Sequence, residues 1–439
     1  MASDRARIGE KARQEPKLCF TSLYHHVTDL DNLRADFKGM EPGKAPGIDG
    51  VTKTSYGENL EAHLADLTDR LKRLGYRPQP ARRKWIPKPG SRKQRPLGIL
   101  CFEDQLVHTA LKETLEPIYE ADFLDCSYGY RPKRTAHQLL DALGKTIQQK
   151  PVRWVYEADI TGFFDHVHHE WMLEFLRVRI GDERVLRIIY RILKSGVLDG
   201  ELQEAGEEGT PQGAVLSPLL ANIYLHYALD LWFQKVFCAS CRGQAWLFRF
   251  ADDFVVCFED QEDAERFSLE VKERLGRFNL TLAEDKTRLL RFGRWAEADG
   301  RRNGRRPETF DFLGFTHYCG KTRKGDFKVK RRTSHKRLRT KLAAWKEWVR
   351  KGRSRFGRGE ILRRAKVKLQ GALNYYAITD NTQMCRHYRE EVESLLFKWL
   401  NRRSQRRSYT WAQFRDALRW VRWPRVVIKH DLNPLWGRL

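Results

Sequence analysis

Long apolar runs are missing from this sequence. Nowhere in its 439 residues do 18 uncharged apolar positions follow one another, which excludes an ordinary membrane-spanning helix. The first 18 residues, MASDRARIGEKARQEPKL, have no apolar core and are not expected to act as a secretory signal. Asp4, Glu10 and Glu15 among them argue against an organellar transit peptide. Cysteine is sparse: the eight are scattered along the chain, the usage of a reducing cytoplasm rather than of a disulfide-stapled domain. Internal repeats and long low-complexity tracts are lacking as well. Disorder is excluded from the other side, because 41% of residues are hydrophobic and 12% aromatic.

Acidic residues are scarce in one place only. Residues 1–320 hold 48 basic and 48 acidic side chains and are neutral, whereas 321–439 hold 34 basic and 9 acidic ones and supply the whole net charge of +25. A neutral body with a cationic C-terminal portion points to a polyanion partner, and nucleic acid is the expected one. A solvated basic tail is the bland alternative. Trp345, Trp348, Phe356, Tyr375, Tyr376, Trp399, Trp411 and Trp420 lie among these charges, and disordered tails rarely carry so many aromatics.

Patterning places the elements. Residues 20–40, 56–74, 103–118 and 135–147 have helical spacing, and KAPGIDG at 44–50 reads as a loop. Arg77 to Arg95 carries eight basic residues, no acidic one and four prolines, which reads as an extended hairpin. VRWVYEADI (152–160) is a strand. SPLLANIYLHYALDLW opens with Ser217 as N-cap and Pro218 at the first helical position, with Leu220, Ile223, Tyr224, Tyr227 and Leu231 on one apolar face. WLFRF and FVVCF are apolar strands around Ala251-Asp252-Asp253, a hairpin. A helix with Ala264, Phe267, Val271 and Leu275 inward follows, then a strand FDFLGF. From about 335 onward three amphipathic helices in a row predict a small bundle. The class is α+β with an antiparallel sheet.

The chemistry gathers on carboxylates. Asp159 ends an apolar strand, and Asp252 and Asp253 sit at a turn between two others. Neighbours in a regular strand point to opposite faces, but a tight turn relaxes that alternation. If the two elements adjoin in one sheet, three carboxylates crowd one spot and repel unless hard divalent cations neutralise them. Mg²⁺ takes oxygen ligands and shares them with substrate phosphates, and two such ions serve in-line phosphoryl transfer. An Asp-Asp turn by itself is more often merely solvated. The surrounding motifs decide the matter.

FRFADDFVVCF resembles the catalytic hairpin of reverse transcriptases, with Phe250 where most members have Tyr. EADITGFFDHVHH resembles their first acidic motif, and EGTPQGAVLSPLLANIYLH the motif that follows it. WIPKPGSRKQRPLGIL resembles the basic fingers motif, LTLAEDKT the motif ending in lysine, and FDFLGF the hairpin before the thumb. KAPGIDGVT, DCSYGYRPKRTAHQLL and LNYYAI are similar to features of bacterial group II intron reverse transcriptases, or maturases. The matches keep the family's order over residues 20–400.

The resemblance implies a right-hand polymerase: an N-terminal extension and fingers over 1–150, a palm over 151–320, a helical thumb over 321–400 and a basic DNA-binding-like segment over 401–439. It implies that Asp159, Asp252 and Asp253 hold two Mg²⁺, with Mn²⁺ as a substitute. Phe164 would be the steric gate that selects dNTP over NTP. Lys88 and Arg95 would grip the triphosphate. Gln212 and Gly213 would lie near the nascent base pair, and Lys286 would protonate the leaving pyrophosphate. The implied partners are an RNA template, structured intron RNA, a DNA primer or target and dNTPs, in a bacterial, nucleoid-associated setting. Beyond Met384 only Cys385 remains, so the HNH nuclease of many intron-encoded enzymes is expected to be missing. Cys238 and Cys241 form a lone CxxC, expected to be structural, and His166, His168 and His169 are expected to be positioned by the fold rather than to be ligands. Three rivals remain open: a splicing factor without polymerisation, a domesticated reverse transcriptase in phage defence or repair, and a viral RNA-dependent RNA polymerase, against which Phe164 and FADD weigh.

Overall fold

A computed structural model describes residues 4–87, 94–199, 202–204, 208–209, 213–302, 304, 306–403 and 408–432. The strands, in chain order, are β1 Ala81–Pro87, β2 Gln94–Ile99, β3 Trp154–Asp159, β4 Val197–Asp199, β5 Leu202–Glu204, β6 Ala245–Phe250, β7 Asp253–Phe258, β8 Arg288–Arg291, β9 Phe310–Phe312, β10 Phe315–Lys321 and β11 Phe327–Thr333. Among the described residues they form three sheets, in the orders β2-β1-β4-β5, β6-β7-β3-β8 and β11-β10-β9. Hairpins β4/β5, β6/β7 and β10/β11 are antiparallel, as the pattern predicts for an α+β fold, whereas β1 and β4 run parallel. Among the described residues, no helix is long and apolar enough to cross a membrane.

The chain divides into two compact units. One holds Met1–Ile86, Gln94–Thr135 and Tyr156–Leu289, and the other holds Pro87–Lys93, Ala136–Val155 and Leu290–Leu439. In the first unit, the helical stretch 20–40 breaks into Tyr24–Thr28 and Leu30–Gly39 at Asp29, an extended residue whose carboxylate accepts the Asn32 N–H at 2.8 Å. The stretch 56–74 likewise becomes Lys53–Gly57 and Leu60–Lys72. The helix at 103–118 is longer, running Phe102–Asp122.

The helix after the Pro-Gln-Gly stretch departs from its predicted start and face. Leu216, not Ser217, is the N-cap, and the helix runs Ser217–Leu225 with Pro218 in its first turn. Wider π turns at His226–Asp230 and Phe233–Phe237 then prolong it. A π turn closes on the fifth residue instead of the fourth, so the buried face moves on by one position. Leu220, Ile223 and Tyr224 are buried as expected, but Ala228, Leu229 and Asp230 follow them inward while Tyr227 and Leu231 stay half-buried.

In the second unit, β9 to β11 form an antiparallel sheet, and four helices follow rather than three: His335–Arg355, Arg358–Tyr376, Thr382–Leu400 and Trp411–Trp420. Trp345, Val349, Ile361, Leu369 and Leu396 are fully buried in one apolar cluster that also takes Phe414 and Leu418. Trp345 places its indole N–H on the Tyr388 hydroxyl at 2.5 Å, so its one polar atom is satisfied inside the core. These basic helices therefore carry a packed interior, not a solvated tail.

Candidate active site

The alternation of β3 builds the site's first edge. Val155, Tyr156 and Ala158 are buried, while Glu157 and Asp159 face partly outward. Glu157 is held by Arg288 at 2.7 Å. The Asp159 carbonyl accepts the Ala283 N–H at 2.8 Å, and the Thr161 N–H reaches Thr281 O at 2.8 Å. The LTLAEDKT segment is thereby laid along the end of β3.

The hairpin β6/β7 builds the second edge. Its last register pair is Phe250 with Asp253, so the turn consists of Ala251 and Asp252 alone, and Asp253 is the first residue of β7. Ala251 sits at φ +57°, a left-handed conformation uncommon for a residue with a Cβ. Because β7 lies beside β3, the Asp253 and Asp159 carboxyls come into hydrogen-bond contact. Burial first, then the Asp159 contact and the charge of Asp252, push the Asp253 carboxyl up to about 8, with Lys286 opposing the shift. Lys286 ion-pairs with Asp159. Burial alone would lower its ammonium, but Asp159, Asp253 and Asp285 together hold it above the ordinary lysine range.

The structure thus joins two of the three expected carboxylates directly and brings in Asp252 through its charge. Among the described residues, no three acidic, histidine or cysteine side chains converge as a cation cage. Asp252 lies in the turn and Asp253 opens the strand, and the Lys286 ammonium pairs with Asp159. The donor chemistry still suits a hard divalent ion. All three acids offer oxygen, and besides burial the neighbouring Asp159 and Asp252 push the Asp253 carboxyl up, a repulsion that a bound cation would relieve.

The other predicted residues fall as follows. Phe163 and Phe164 share a tight turn, Phe163–Asp165; Phe163 is 2% exposed against Tyr224, while Phe164 is half-buried, its ring edge-on to Phe163 at 5.5 Å. Phe163 is thus the core residue and Phe164 the partly exposed one. Gly213 has φ +103°, and a Cβ there would stand 2.6 Å from Leu97 Cδ1 and 3.3 Å from Gly98 O, so β2 passes where a side chain would be. Lys88 and Gln212 lie outside the described residues. Arg95 lies in β2, and its side chain is outside the described set.

Four residues behind the turn escaped sequence reasoning. Arg249 and Asp230 are both wholly buried and pair through two bonds, at 2.8 and 2.5 Å. A third guanidinium nitrogen donates to the Ala251 carbonyl and to Asn222 Oδ1, both at 3.1 Å. Asn222 in turn donates to Gly129 O at 2.8 Å, and a Cβ at Gly129 would lie 2.4 Å from the Ala251 nitrogen. A signal existed: an arginine within the apolar run WLFRF demands a buried partner. Asp230 stands seven residues after buried Ile223, on the same helical face.

With this geometry in hand, comparison with known proteins is informative. The family model described as Reverse transcriptase (RNA-dependent DNA polymerase) matches residues 86–317, more than half of the chain. The chain belongs to the reverse transcriptase family. It is 34% identical over 246 residues to Protein YkfC of Escherichia coli K12, covering 55% of this chain and 64% of that protein. It is 36% identical over 222 residues to the group II intron-encoded protein LtrA of Lactococcus lactis subsp. cremoris, covering 50% of this chain and 36% of LtrA. A third relative, nuclear intron maturase 1, mitochondrial, of Arabidopsis thaliana, is 31% identical over 93 residues, covering 21% of this chain and 13% of that protein. The chain thus spans about two thirds or less of the relatives it matches. The lone CxxC is held as thiols, with burial pushing Cys238 up to about 12 and Cys241 to about 11. His169 bonds Gly209 O at 2.7 Å, and His166 lies 3.6 Å from Glu208.

Proposed function

We propose that this chain is an RNA-directed DNA polymerase, a nucleotidyltransferase that extends a primer 3′-OH with dNTPs on an RNA template, and that it also binds group II intron RNA as a maturase. The observation that carries the polymerase reading is the contact of Asp159 with Asp253 across neighbouring strands, beside Lys286, within a reverse transcriptase domain. The relatives named for introns and maturases support the second part.

Asp159, Asp252 and Asp253 would hold divalent cations, Mg²⁺ with Mn²⁺ as a substitute, which supply charge stabilisation for phosphoryl transfer. The chain's own residues do the rest. Lys286 keeps its proton on Nζ through the neutral range and presents it beside the carboxylates, where a leaving pyrophosphate needs one. Phe164 offers a ring edge against the sugar and leaves no room for a 2′-OH. Gly213, whose missing Cβ makes room for β2, would lie near the nascent base pair. Lys88 and Arg95 would meet the triphosphate, Arg95 through a planar fork of donors, and Gln212 would lie beside Gly213 at the base pair. The net positive charge of residues 321–439 suits the phosphates of a structured RNA.

Primer extension tests the reading. The protein should copy an RNA template in the presence of Mg²⁺, and Asp252→Ala should abolish synthesis while RNA affinity stays within about twofold, since one carboxylate contributes nothing to phosphate binding. Undiminished synthesis by that variant would refute the assignment.

A further inference from the structure

The segment DCSYGYR, Asp125–Arg131, takes no part in the polymerase chemistry, yet it covers the edge of the catalytic hairpin. Among the described strands, β6 is the outermost of its sheet. The Arg249 N–H donates to the Cys126 carbonyl at 2.8 Å, and the Tyr128 N–H donates to the Arg249 carbonyl at 2.9 Å. Ser127 and Arg249 thereby form a parallel bridge, one residue before β6 ends at Phe250. Backbone that an edge strand would leave bare is thus paired right beside the turn. The segment then passes under the turn itself: a Cβ at Gly129 would lie 2.4 Å from the Ala251 nitrogen and 3.2 Å from its Cα.

This wall is anchored from behind. Buried Arg131 bonds Glu120 at 3.0 Å and the carbonyls of Leu124 and Ser127 at 2.8 and 3.0 Å. Asn222, buried on the helix Ser217–Leu225, joins the wall to the turn. Its amide donates to Gly129 O at 2.8 Å, and its Oδ1 accepts from the Arg249 nitrogen that also donates to the Ala251 carbonyl. An amide bonded at both ends where water is excluded is a stiff link, because neither bond has a substitute. The charge of Asp252 reaches the same guanidinium. Ala251 stands between wall and clamp in its left-handed conformation, which a residue with a Cβ keeps only where the surroundings over-determine it. Here they do.

We propose that Gly129 and Asn222 are positioning residues for the carboxylate site: together with Arg249 they hold Ala251 left-handed from outside the hairpin, and so fix Asp252 relative to the Asp159–Asp253 pair and set the affinity of the three acids for divalent cations. A two-residue turn held by its own strands alone would relax out of the left-handed conformation and carry Asp252 with it. Mg²⁺ tolerates little departure from octahedral geometry, so a displaced carboxylate weakens its binding. The inference rests on the polymerase reading above. It gives the DCSYGYR segment a task, that of a back wall to the turn, with glycine at 129 because the Ala251 backbone occupies the place of a side chain.

The test compares the wild type, Asn222→Ala, Gly129→Ala and the double variant Asn222→Ala/Ala251→Gly. Mn²⁺ binding is titrated by loss of the free ion's electron paramagnetic resonance signal, and the Mg²⁺ concentration for half-maximal primer extension is measured beside it. Fluorescence anisotropy of a DNA primer annealed to RNA reads nucleic-acid affinity, and urea unfolding shows that each variant is folded in the assay. Asn222→Ala should weaken Mn²⁺ binding and raise the half-maximal Mg²⁺ concentration about tenfold, the scale of a lost contact behind a metal ligand. Primer–template affinity should stay within about twofold. Gly129→Ala should do at least as much, and if it does not fold, Asn222→Ala decides alone. The double variant should recover most of the metal affinity, because glycine takes the left-handed conformation without a clamp; a loss caused by a loosened core would not recover. Folded Asn222→Ala with wild-type Mn²⁺ affinity, or a double variant no better than Asn222→Ala, would overturn the proposal. If the wild type bound Mn²⁺ without extending a primer, the polymerase reading would fall, and the Mn²⁺ titration would still decide the role of Asn222.

Discussion

Arg249 and Asp230 form an ion pair from which water is wholly excluded, and the same guanidinium holds the carbonyl of Ala251, the left-handed residue of the catalytic turn. The turn that bears Asp252 is thereby tied to a helix rather than to its own two strands alone. Removing one partner leaves the other charge buried and unpaired. Asp230→Asn should therefore destabilise the protein by about 3–5 kcal/mol. The control is Asp69→Asn, whose pair with Arg73 is about two-thirds exposed on both sides and should cost about 0–1 kcal/mol. Urea unfolding of both variants decides; similar midpoints would mean that the buried pair is not holding the turn.

Lys286 is bonded to Asp159 and carries its proton with ease. As a proton donor it should matter for the chemical step and not for nucleic-acid binding. Lys286→Gln should lower the single-turnover extension rate by about 10²-fold or more, with RNA affinity unchanged. A variant with a normal rate would reduce the lysine to a counter-ion that a metal displaces.

Phe164 is the open member of a pair whose other member is core. Phe164→Val should let ribonucleotides in, raising the ratio of NTP to dNTP incorporation by about tenfold or more, because a steric gate works through volume removed from the sugar site. Phe163→Val should instead lower stability by about 1–3 kcal/mol without shifting that ratio. Competition between ATP and dATP on a poly(U) template measures the first, and thermal unfolding the second.

Asp104 gives a pH signature far from the catalytic carboxylates in sequence. It is 2% exposed and accepts bonds from the Tyr76 hydroxyl and, at 3.1 Å, from the Gln79 N–H. Burial outweighs these and pushes its carboxyl up from 3.8 to about 6. The folded state therefore binds this proton more tightly than the unfolded chain. The stability it contributes is full below about pH 4 and lost as pH rises through about 6, an amount of about 3 kcal/mol. Asp104→Asn should flatten that part of the stability curve between pH 4 and 7; an unchanged slope in urea titrations would show that the carboxyl is not the group responsible.

Much of this protein is legible before any coordinates exist. The apolar strand ending in Asp159, the paired apolar runs around Ala251-Asp252-Asp253 and the stripes on the C-terminal helices are local patterns, set by the spacing of side chains along one element. Order of motifs along the chain was enough to point to the family. Local pattern also implied that Lys286 and the carboxylates belong together, though only as members of a resemblance. What could not be read was any feature that needs two elements to be seated at a definite depth and rotation. That Asp253 meets Asp159 follows from the seating of β7 beside β3, which no single segment shows. Asp230 shares a helical face with buried Ile223 and His226, but that it meets Arg249 there depends on how the helix packs against β6. Tyr130 meets Phe250 across 120 positions because Gly129 fits under the catalytic turn, and a fit of that kind is a property of packed surfaces, not of any one segment.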